Sequence, residues 1–354
     1  MFDLTEPLLK LLEDDASDLH ITTGLPPVIR IHGKLMPLTE YPKLTPNDTK
    51  EMIYGILTQN QREKLERNLE FDFSYGIPGK ARFRVNIYYQ RDSLGAAFRV
   101  IPVKIKNIEE LGLPMSLENI TDKVRGFIVV TGPTGSGKTT TLAALIDKIN
   151  ETRSEHIITV EDPIEFLHRH KKCMVNQREV GSDTKSFANA LKYVLRQDPD
   201  VIMIGEMRDL ETIQAALTAA ETGHLVFATL HTQDAPQTID RIIDVFPPYQ
   251  QQQIRIQLAG TLQGIVAQQL LPTKDDKGRV AAVELLVPTS GVRNMIREAK
   301  THQIYNSMQT GQKYGMITMD QSLADLYRRG IITLETAINK AVFPEDLKQM
   351  LGKY

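Results

Sequence analysis

Residues 132–139 read GPTGSGKT and directly follow the apolar run FIVVT. This octapeptide fits G-x-x-x-x-G-K-[ST], the phosphate-binding loop that joins a buried strand to a helix. The glycines allow a curl in which successive backbone N–H groups point inward at phosphate oxygens, and the following helix adds its positive end. The motif therefore predicts a strand, a phosphate loop and a helix in that order.

Each part of this loop has an expected task. Lys138 should reach the β- and γ-phosphates of a nucleotide, and the Thr139 hydroxyl should bind Mg²⁺. We therefore expect ATP and Mg²⁺ as the ligands. The predicted nucleotide-binding residues of the loop are Gly132, Pro133, Thr134, Gly135, Ser136, Gly137, Lys138, Thr139 and Thr140.

Short apolar runs alternate with helical patterns after Gly126, which is typical of a parallel sheet covered by helices on both faces. Asp209 is a candidate helix N-cap, and Gly223 stands where a helix commonly ends. From about residue 290 onward the pattern is mostly helical. The apolar runs are FIVVT, HIITV, VIMI and HLVFATL, and the helical stripes are Leu142, Leu145, Ile146 and Ile149, and Phe187, Leu191, Val194 and Leu195.

The first hundred residues follow a different pattern, which predicts a small α+β domain. Residues 17–35 read as two short strands around the turn at Gly24, and residues 46–68 carry a helical pattern. Residues 81–102 alternate strictly and include a turn at Arg91–Gly95. Phe83, Val85 and Ile87 share one face of this segment, and Arg82, Arg84 and Asn86 share the other.

Acidic residues follow two of the predicted strands. ITVEDPIE places Glu161, Asp162 and Glu165 after one strand, and VIMIGEMRD places Glu206 after another, with Gly205 where a metal-binding aspartate is usual. The carboxyl ends of parallel strands lie at the same end of the sheet, where the phosphate loop also begins. Both sets of acidic residues should therefore lie near that loop. One carboxylate can then serve Mg²⁺ while another orients the attacking water, so Gly205 does not imply an inactive site.

His224 and His231 lie at the two ends of the run LVFAT. A spacing of seven does not suit a helical metal pair, and no third ligand is nearby. We predict that these histidines sense the γ-phosphate at the sheet edge; a structural histidine bonded to the backbone is the alternative for either one.

Composition excludes several classes of protein. The formal net charge is −2, which argues against nucleic acid as a direct partner. Cys173 is the single cysteine, so neither an internal disulfide nor a cysteine-based zinc site can form. The acidic N-terminus is a poor signal peptide, and no stretch approaches about 18 consecutive apolar residues. We expect a cytoplasmic protein without a transmembrane segment.

The phosphate loop, the acidic box, the Gly205–Glu206 strand and the histidine box together resemble those of the secretion-type ring ATPases. The resemblance covers nearly the whole chain, including SDLH…PPVIRIHGKL in the first domain. Residues 291–311, GVRNMIREAKTHQIYNSMQTG, resemble the C-terminal signature of the branch that powers type IV pilus retraction and twitching motility. In that branch the helix has the sequence A-I-R-N-L-I-R-E. The corresponding residues 291–298 of this chain differ conservatively at Gly291, Val292 and Met295.

The resemblance implies four segments: a PAS-like α+β domain at 1–102, a linker at 103–122, a RecA-like ATPase core at 123–290 and a C-terminal helical region at 291–354. It implies a homohexamer at the cytoplasmic face of the inner membrane that turns a membrane platform protein and so withdraws pilins from the fibre. In that family the Gly-Glu arrangement is normal. The predicted catalytic residues are Glu206, Glu161, Lys138 and His231, with Thr139, Glu161 and Glu206 serving the metal. Glu206 is assigned as the general base, and Glu161 is the competitor for that role.

Arginines of the first domain are the candidates for stabilising the γ-phosphate, in cis or across a subunit interface. Arg82, Arg84 and Arg99 lie on polar strand faces, and a solvated or ion-paired surface is the alternative. Arg208 and Arg241 could serve instead. His224 completes the predicted nucleotide-binding set. Arg293 and Arg297, one helical turn apart, should share a face needed for retraction rather than for ATP binding.

Other functions remain open from the sequence. The nearest alternatives are an accessory retraction ATPase and a related ring ATPase of secretion or DNA uptake. A nucleotide-switched binding module that does not hydrolyse ATP conflicts with the two acidic boxes. A nucleotide kinase would need a lid and acceptor-site arginines, and this pattern is missing.

Overall fold

The computed structural model of the protein describes residues 3–31, 33–102 and 104–352. The chain divides into two compact units. The first comprises Met1–Val103 and Glu165–Leu167, and the second comprises Lys104–Ile164 and His168–Tyr354.

The first unit is built on a six-stranded antiparallel sheet with the order β3-β2-β1-β6-β5-β4. Phe83, Val85 and Ile87 are fully buried on one face of the sheet, as the alternation predicted. The elements are α1 (Thr5–Glu13), β1 (Asp18–Ile21), β2 (Val28–Ile31), β3 (Lys34–Pro37), α2 (Pro46–Gly55), α3 (Gln59–Asn68), β4 (Glu70–Ile77), β5 (Ala81–Gln90) and β6 (Ser93–Ile101).

Two details of this unit differ from the expectations. The helical pattern at 46–68 forms two helices, because Thr58 begins a new capping box with Gln61 after α2 has ended. The turn between β5 and β6 is also shorter than predicted. Arg91 and Asp92 both take positive φ, which is the backbone of a two-residue hairpin turn, and β6 begins at Ser93.

The second unit contains a seven-stranded sheet with the order β13-β12-β7-β11-β10-β8-β9, in which only the β12–β13 pair is antiparallel. Its elements are α4 (Glu118–Thr121), β7 (Gly126–Thr131), α5 (Lys138–Thr152), β8 (His156–Glu161), β9 (Met174–Glu179), α6 (Phe187–Val194), β10 (Val201–Ile204), α7 (Leu210–Glu221), β11 (Leu225–Thr229), α8 (Ala235–Asp244), α9 (Pro248–Thr261), β12 (Leu262–Pro272), β13 (Arg279–Leu286), α10 (Ser290–Arg297), α11 (Ile304–Gln309), α12 (Met319–Arg328), α13 (Leu334–Lys340) and α14 (Pro344–Met350), with short 3₁₀ turns at Met115–Leu117, Thr301–Gln303 and Gln312–Tyr314.

Both faces of this sheet are covered, which confirms the predicted α/β class. Phe127 and Val226 belong to the core on one face, and Ile128 and Phe227 belong to the core on the other, where α5 packs. Strands buried on both faces are apolar throughout, which explains why β7, β8, β10 and β11 were recognisable as apolar runs. The strands β9, β12 and β13 were not predicted.

The helix boundaries follow local chemistry. Asp209 is confirmed as the N-cap of α7, since its carboxylate accepts a 2.8 Å hydrogen bond from the Thr212 N–H. Gly223 follows the end of α7 with a φ of +110°. The α5 stripe is buried as predicted, whereas Leu195 lies beyond the end of α6 and is exposed. The mostly helical region after residue 290 is also confirmed.

Candidate nucleotide site

The phosphate loop joins the end of β7 to the first residue of α5, as predicted. Two of its glycines are required by close packing. Gly132 has a φ of +143°, and a Cβ there would lie 2.2 Å from the Gln268 carbonyl oxygen. Gly137 has a φ of +88°, and its Cβ would lie 2.8 Å from Gln268 Nε2. A larger residue at Gly132 would push the loop away from the β12 backbone, and one at Gly137 would displace the Gln268 side chain.

Gln268 on β12 supports the loop from behind. Its Nε2 donates to the Ser136 carbonyl at 2.8 Å, and its Oε1 accepts from Thr141 Oγ1 at 2.7 Å. One buried amide therefore ties the loop to the first turn of α5. Sequence analysis missed this residue; the available signal was a polar pair, Gln268-Gln269, inside an apolar strand.

The loop contains polar groups suited to phosphate. Lys138 Nζ donates to the carbonyls of Gly132 and Pro133 at 2.8 and 3.0 Å, so the ammonium lies within the curl of the loop. Ser136 Oγ is buried and has no hydrogen-bond partner among the described residues. A buried hydroxyl without a partner is costly, and a phosphate oxygen would satisfy it.

Thr139 and Thr140 are half-buried in the first turn of α5. A phosphate-loop threonine supplies one hydroxyl to Mg²⁺, and the phosphates and water supply most of the other ligands. Within residues 3–31, 33–102 and 104–352 there is no cluster of three or more His, Cys, Asp or Glu side chains that could hold a metal by itself. The residues present therefore fit a magnesium ion that arrives with a nucleotide.

A chain of hydroxyl groups connects the end of β7 to the loop after β11. Thr131 Oγ1 contacts both the carbonyl and the hydroxyl of Thr232 at 2.7 Å. The Thr232 hydroxyl contacts that of Thr238 at 2.7 Å, and Thr238 lies on α8. The segment that carries His231 is therefore fixed against the strand that leads into the phosphate loop.

Glu206 is held between two cationic or potentially cationic side chains. Arg208 donates to its Oε2 at 2.7 Å, and His231 Nε2 lies 2.8 Å from its Oε1. The hydrogen bond from Arg208 lowers the pKa of Glu206, although partial burial opposes this effect. The carboxylate is therefore ionised at neutral pH and pairs with His231. This contact joins the segment after β10 to the segment after β11.

Glu161 is the last residue of β8 and is almost completely buried. Its Oε1 accepts from Thr159 Oγ1 at 2.6 Å and from Gln177 Nε2 at 3.0 Å. The Gly205 N–H donates to the Val160 carbonyl at 2.8 Å, so the ends of β8 and β10 are adjacent. A Cβ at residue 205 would lie 3.3 Å from Glu161 Cα, so a larger residue there would require the end of β8 to shift by a few tenths of an ångström.

His224 lies at the opposite end of the parallel strands, just before β11 begins. Its carbonyl accepts from the N–H of Gly126, the first residue of β7, whereas the phosphate loop leaves the other end of that strand. The separation along β7 is about 17 Å at the usual rise per residue. His224 Nδ1 lies 3.0 Å from the Ala219 carbonyl at the end of α7. Within one chain, this geometry favours the structural alternative for His224 over a nucleotide contact.

The arginines of the first unit lie on β5 and β6. Arg84 is opposite Arg99 in the register, and Arg99 Nε donates to Asp18 Oδ1 at 2.8 Å. A shallow cavity of about 400 Å³ on this face contains Asp18, Asp72, Arg84 and Arg99. Arg82 lies on the same face of β5, half-buried.

Arg293 and Arg297 both belong to α10 but differ in environment. Arg293 NH1 donates to the carbonyls of Ala259 and Gly260, in the last turn of α9, whereas Arg297 is exposed. Arg293 therefore caps a helix C-terminus, where a cation is favourable.

A cavity of about 290 Å³ lies beside the phosphate loop, next to Gly137 and Thr140. Its wall is partly apolar and partly polar. The apolar lining residues are Leu111, Leu113, Leu270 and Ala281, and the polar ones are Thr140, Thr141, Gln268 and the exposed Arg279.

In the part of the chain that the structure describes, no helix is long and apolar enough to cross a membrane.

Comparisons with known proteins give consistent results. The family model "Type II/IV secretion system protein" matches residues 6–277. The type IV pilus retraction ATPase PilT of Pseudomonas aeruginosa is 50% identical over 344 residues, which cover 97% of this chain and 99% of that protein. The type IV pilus ATPase PilU of the same organism is 45% identical over 347 residues, covering 98% and 91%. A crystal structure of the pilus retraction motor PilT with bound ADP superposes with a TM-score of 0.92 at 51% identity, covering 99% and 100%.

Proposed function

This chain belongs to the type II/IV secretion system protein family, and on that premise we propose that it is an ATP-hydrolysing ring motor that powers type IV pilus retraction. The observation that carries the proposal is the meeting of Glu206 and His231 at 2.8 Å on the sheet edge from which the phosphate loop leaves. The high identity to a pilus retraction ATPase over nearly the full length of both chains supports the same function.

The residues of the site divide the reaction between them. Lys138 would bind the β- and γ-phosphates, and Thr139 would give its hydroxyl to Mg²⁺, which would supply positive charge against the phosphates. Glu206 accepts the proton of the attacking water or orients it, because its carboxylate is ionised and only partly buried. His231 holds Glu206 in place and would sense the γ-phosphate. Glu161, which receives hydrogen bonds from Thr159 and Gln177, supports the metal or its water ligands.

The cavity beside Thr140 is proposed as the place of the nucleotide base. A base extends from the phosphates past the first turn of the helix that follows the loop, and this cavity opens there. Leucine side chains provide contact for an aromatic ring, and the exposed Arg279 can stack on it or approach the ribose and α-phosphate.

The assembly and partners are proposed from the resemblance to the family. The protein works as a homohexamer at the cytoplasmic face of the inner membrane, turns the platform protein of the pilus, and acts on the pilin fibre only through that platform. No direct contact with nucleic acid is part of this function. The arginines Arg82, Arg84 and Arg99 are proposed to stabilise the γ-phosphate, and a hexamer can present them to a neighbouring subunit.

A second candidate is the accessory retraction ATPase, because the chain is also 45% identical to a second type IV pilus ATPase, PilU. Gene deletion separates the two functions. Loss of the principal motor should leave cells with excess pili that cannot twitch, whereas loss of an accessory motor should leave retraction that fails only under load.

The first experiment is ATP hydrolysis per protomer as the purified full-length protein is diluted through its assembly range, with Lys138→Ala as the inactive control. A steep loss of specific activity on dilution supports a ring whose site needs a neighbouring subunit. Activity that stays constant while sedimentation shows monomers would overturn the ring motor. No hydrolysis by the assembled ring, together with normal ADP binding, would indicate a nucleotide-switched binding module instead.

A further inference from the structure

Glu284 is a buried carboxylate that holds the beginnings of two helices. It lies on β13 and is 1% exposed. Its Oε1 accepts from the Ala235 N–H at 2.8 Å, and its Oε2 faces the Met319 N–H at 3.4 Å. Ala235 and Met319 are the first residues of α8 and α12. The first N–H groups of a helix have no partner within the helix, and a carboxylate satisfies them best.

One of these helices leads directly back to the nucleotide site. α8 begins four residues after His231, and the intervening loop contains Thr232 and Asp234. Thr238 Oγ1 donates to the Asp234 carbonyl at 2.6 Å and contacts the Thr232 hydroxyl at 2.7 Å. The loop is thus fixed at one end by Thr131, before the phosphate loop, and at the other end by Glu284.

The other helix connects the C-terminal region. Asp320, the second residue of α12, accepts from the N–H groups of Val342 and Phe343 at 2.7 and 2.9 Å, and from Tyr305 OH at 3.2 Å. The start of α12 is therefore the point at which α11 and the segment before α14 join. Glu284 contacts this point of the C-terminal region through the Met319 N–H.

We propose that Glu284 is a positioning residue for ATP hydrolysis: its ionised carboxylate holds the start of α8, and with it the His231 loop, in register with the C-terminal helices. The inference rests on the proposed ATPase function for its catalytic readout. Nothing in it requires Glu284 to touch the nucleotide. It acts through Ala235 on the loop that sets the contact between His231 and Glu206.

The charge on Glu284 is finely balanced. Burial, helped by the nearby carboxylates of Asp234 and Asp320, raises its pKa to about 7, while the hydrogen bonds from Ala235 and Met319 oppose the rise. Tyr305 is the other titratable group beside this cluster, and burial raises its pKa as well. Protonation converts one oxygen to a hydroxyl, which leaves a single good acceptor for two N–H groups. The positioning contact should therefore strengthen as pH rises through 7.

The test compares Glu284→Gln with Asp320→Asn in the full-length hexamer. The Gln side chain preserves volume but, like the protonated acid, can accept only one of the two bonds well. We expect kcat at pH 8 to fall about tenfold with KM for ATP nearly unchanged, since a small misplacement of a catalytic group reduces turnover more than binding. The rise of kcat around pH 7 should disappear in this variant.

Asp320→Asn is the matched control because it weakens the C-terminal helices without touching α8. In this variant kcat should still rise with pH, but the rise should occur at lower pH. The reason is that the Asp320 carboxylate, which raises the pKa of Glu284, has been removed. Wild-type kcat in Glu284→Gln at pH 8, or an unchanged rise around pH 7 in that variant, would overturn the proposal.

Hydrogen exchange separates this inference from the proposed ATPase function. In Glu284→Gln, amides of residues 231–238 and of 317–322 should both exchange faster, whereas Asp320→Asn should affect only 317–322 and 341–344. This result would support the link even if the wild-type ring proved unable to hydrolyse ATP. Faster exchange in Glu284→Gln confined to 317–322 would refute it.

Discussion

The side-chain amide of Gln268 donates a 2.8 Å hydrogen bond to the carbonyl of Ser136, in the middle of the phosphate loop. The two residues are 132 positions apart in the chain. β12 lies next to β7 in the sheet, so the loop that follows β7 curls over the Gln268 side chain. The shape of the phosphate cradle thus depends on a residue outside the phosphate-loop motif.

Replacing Gln268 with Ala should weaken nucleotide binding. The change leaves the Thr141 hydroxyl and the Ser136 carbonyl buried without this partner, which costs about 1–3 kcal/mol of unfolding free energy and loosens the loop. We expect the Kd for ADP to rise about tenfold, measured by calorimetry. Gln269→Ala is the control, because its side chain points to the other face of β12 and makes no hydrogen bond among the described residues. Equal Kd values for both variants would argue against a supporting role.

Glu206→Gln should abolish hydrolysis while nucleotide binding is retained. A general base typically contributes about 10²–10⁴-fold to the rate, and the amide cannot accept the proton. Glu161→Gln should reduce the rate mainly at limiting Mg²⁺, because that side chain is assigned to the metal. Single-turnover rates across a Mg²⁺ titration measure both effects. Normal turnover by Glu206→Gln, with loss in Glu161→Gln, would reverse the two roles.

Arg84→Ala should reduce hydrolysis by about 10³-fold if this arginine stabilises the γ-phosphate. Arg84 is exposed and forms no ion pair within residues 3–31, 33–102 and 104–352. Asn86→Ala, on the same face of β5, is the control. Mixing Arg84→Ala with the inactive Lys138→Ala subunits tests for action across an interface: about a quarter of sites should then contain both side chains. No recovery on mixing would assign the arginine to its own subunit or to no catalytic role.

The unfolding free energy should depend on pH through Glu284. Its pKa is about 7 in the folded protein and 4.5 ordinarily. Between these values the folded state binds more protons than the unfolded state, so stability falls as pH rises from 4.5 to 7 and then levels off. The contribution is at most about 3 kcal/mol. Denaturant unfolding of wild type and Glu284→Gln at pH 5 and pH 8 isolates this contribution. The unfolding free energy of wild type, relative to that of the variant, should be lower at pH 8 than at pH 5; a higher value at pH 8 would disprove the raised pKa.

The two arginines of α10 should separate stability from motor function. Arg297→Ala should leave the melting temperature and ATPase rate unchanged but abolish twitching, since the side chain is exposed. Arg293→Ala should also lower the unfolding free energy by about 1–2 kcal/mol, because its bonds to the last carbonyls of α9 are lost. Lys300→Ala is the exposed control. A double variant that still retracts pili would refute the role of this face.

The sequence predicted those parts of the fold whose signals are local. β7, β8, β10 and β11 are continuous apolar runs because they are buried on both sides, and the loop glycines are adjacent in the chain. The N-cap Asp209 and the alternating face of β5 were equally visible. The strands β9, β12 and β13 were missed because polar or charged residues interrupt them, and only pairing with their neighbours makes them strands.

The sequence by itself determined the identity of the chemical groups at the site: the phosphate loop, the two glutamates and the histidine that follows β11. Tertiary structure alone decided which of them meet. It paired His231 with Glu206, placed His224 at the far edge of the sheet, set Gln268 behind the phosphate loop and joined two helix beginnings at Glu284. The physical reason is that a hydrogen bond depends on distance in space. Strand order sets that distance for residues far apart in the chain, and local patterns carry almost no information about strand order.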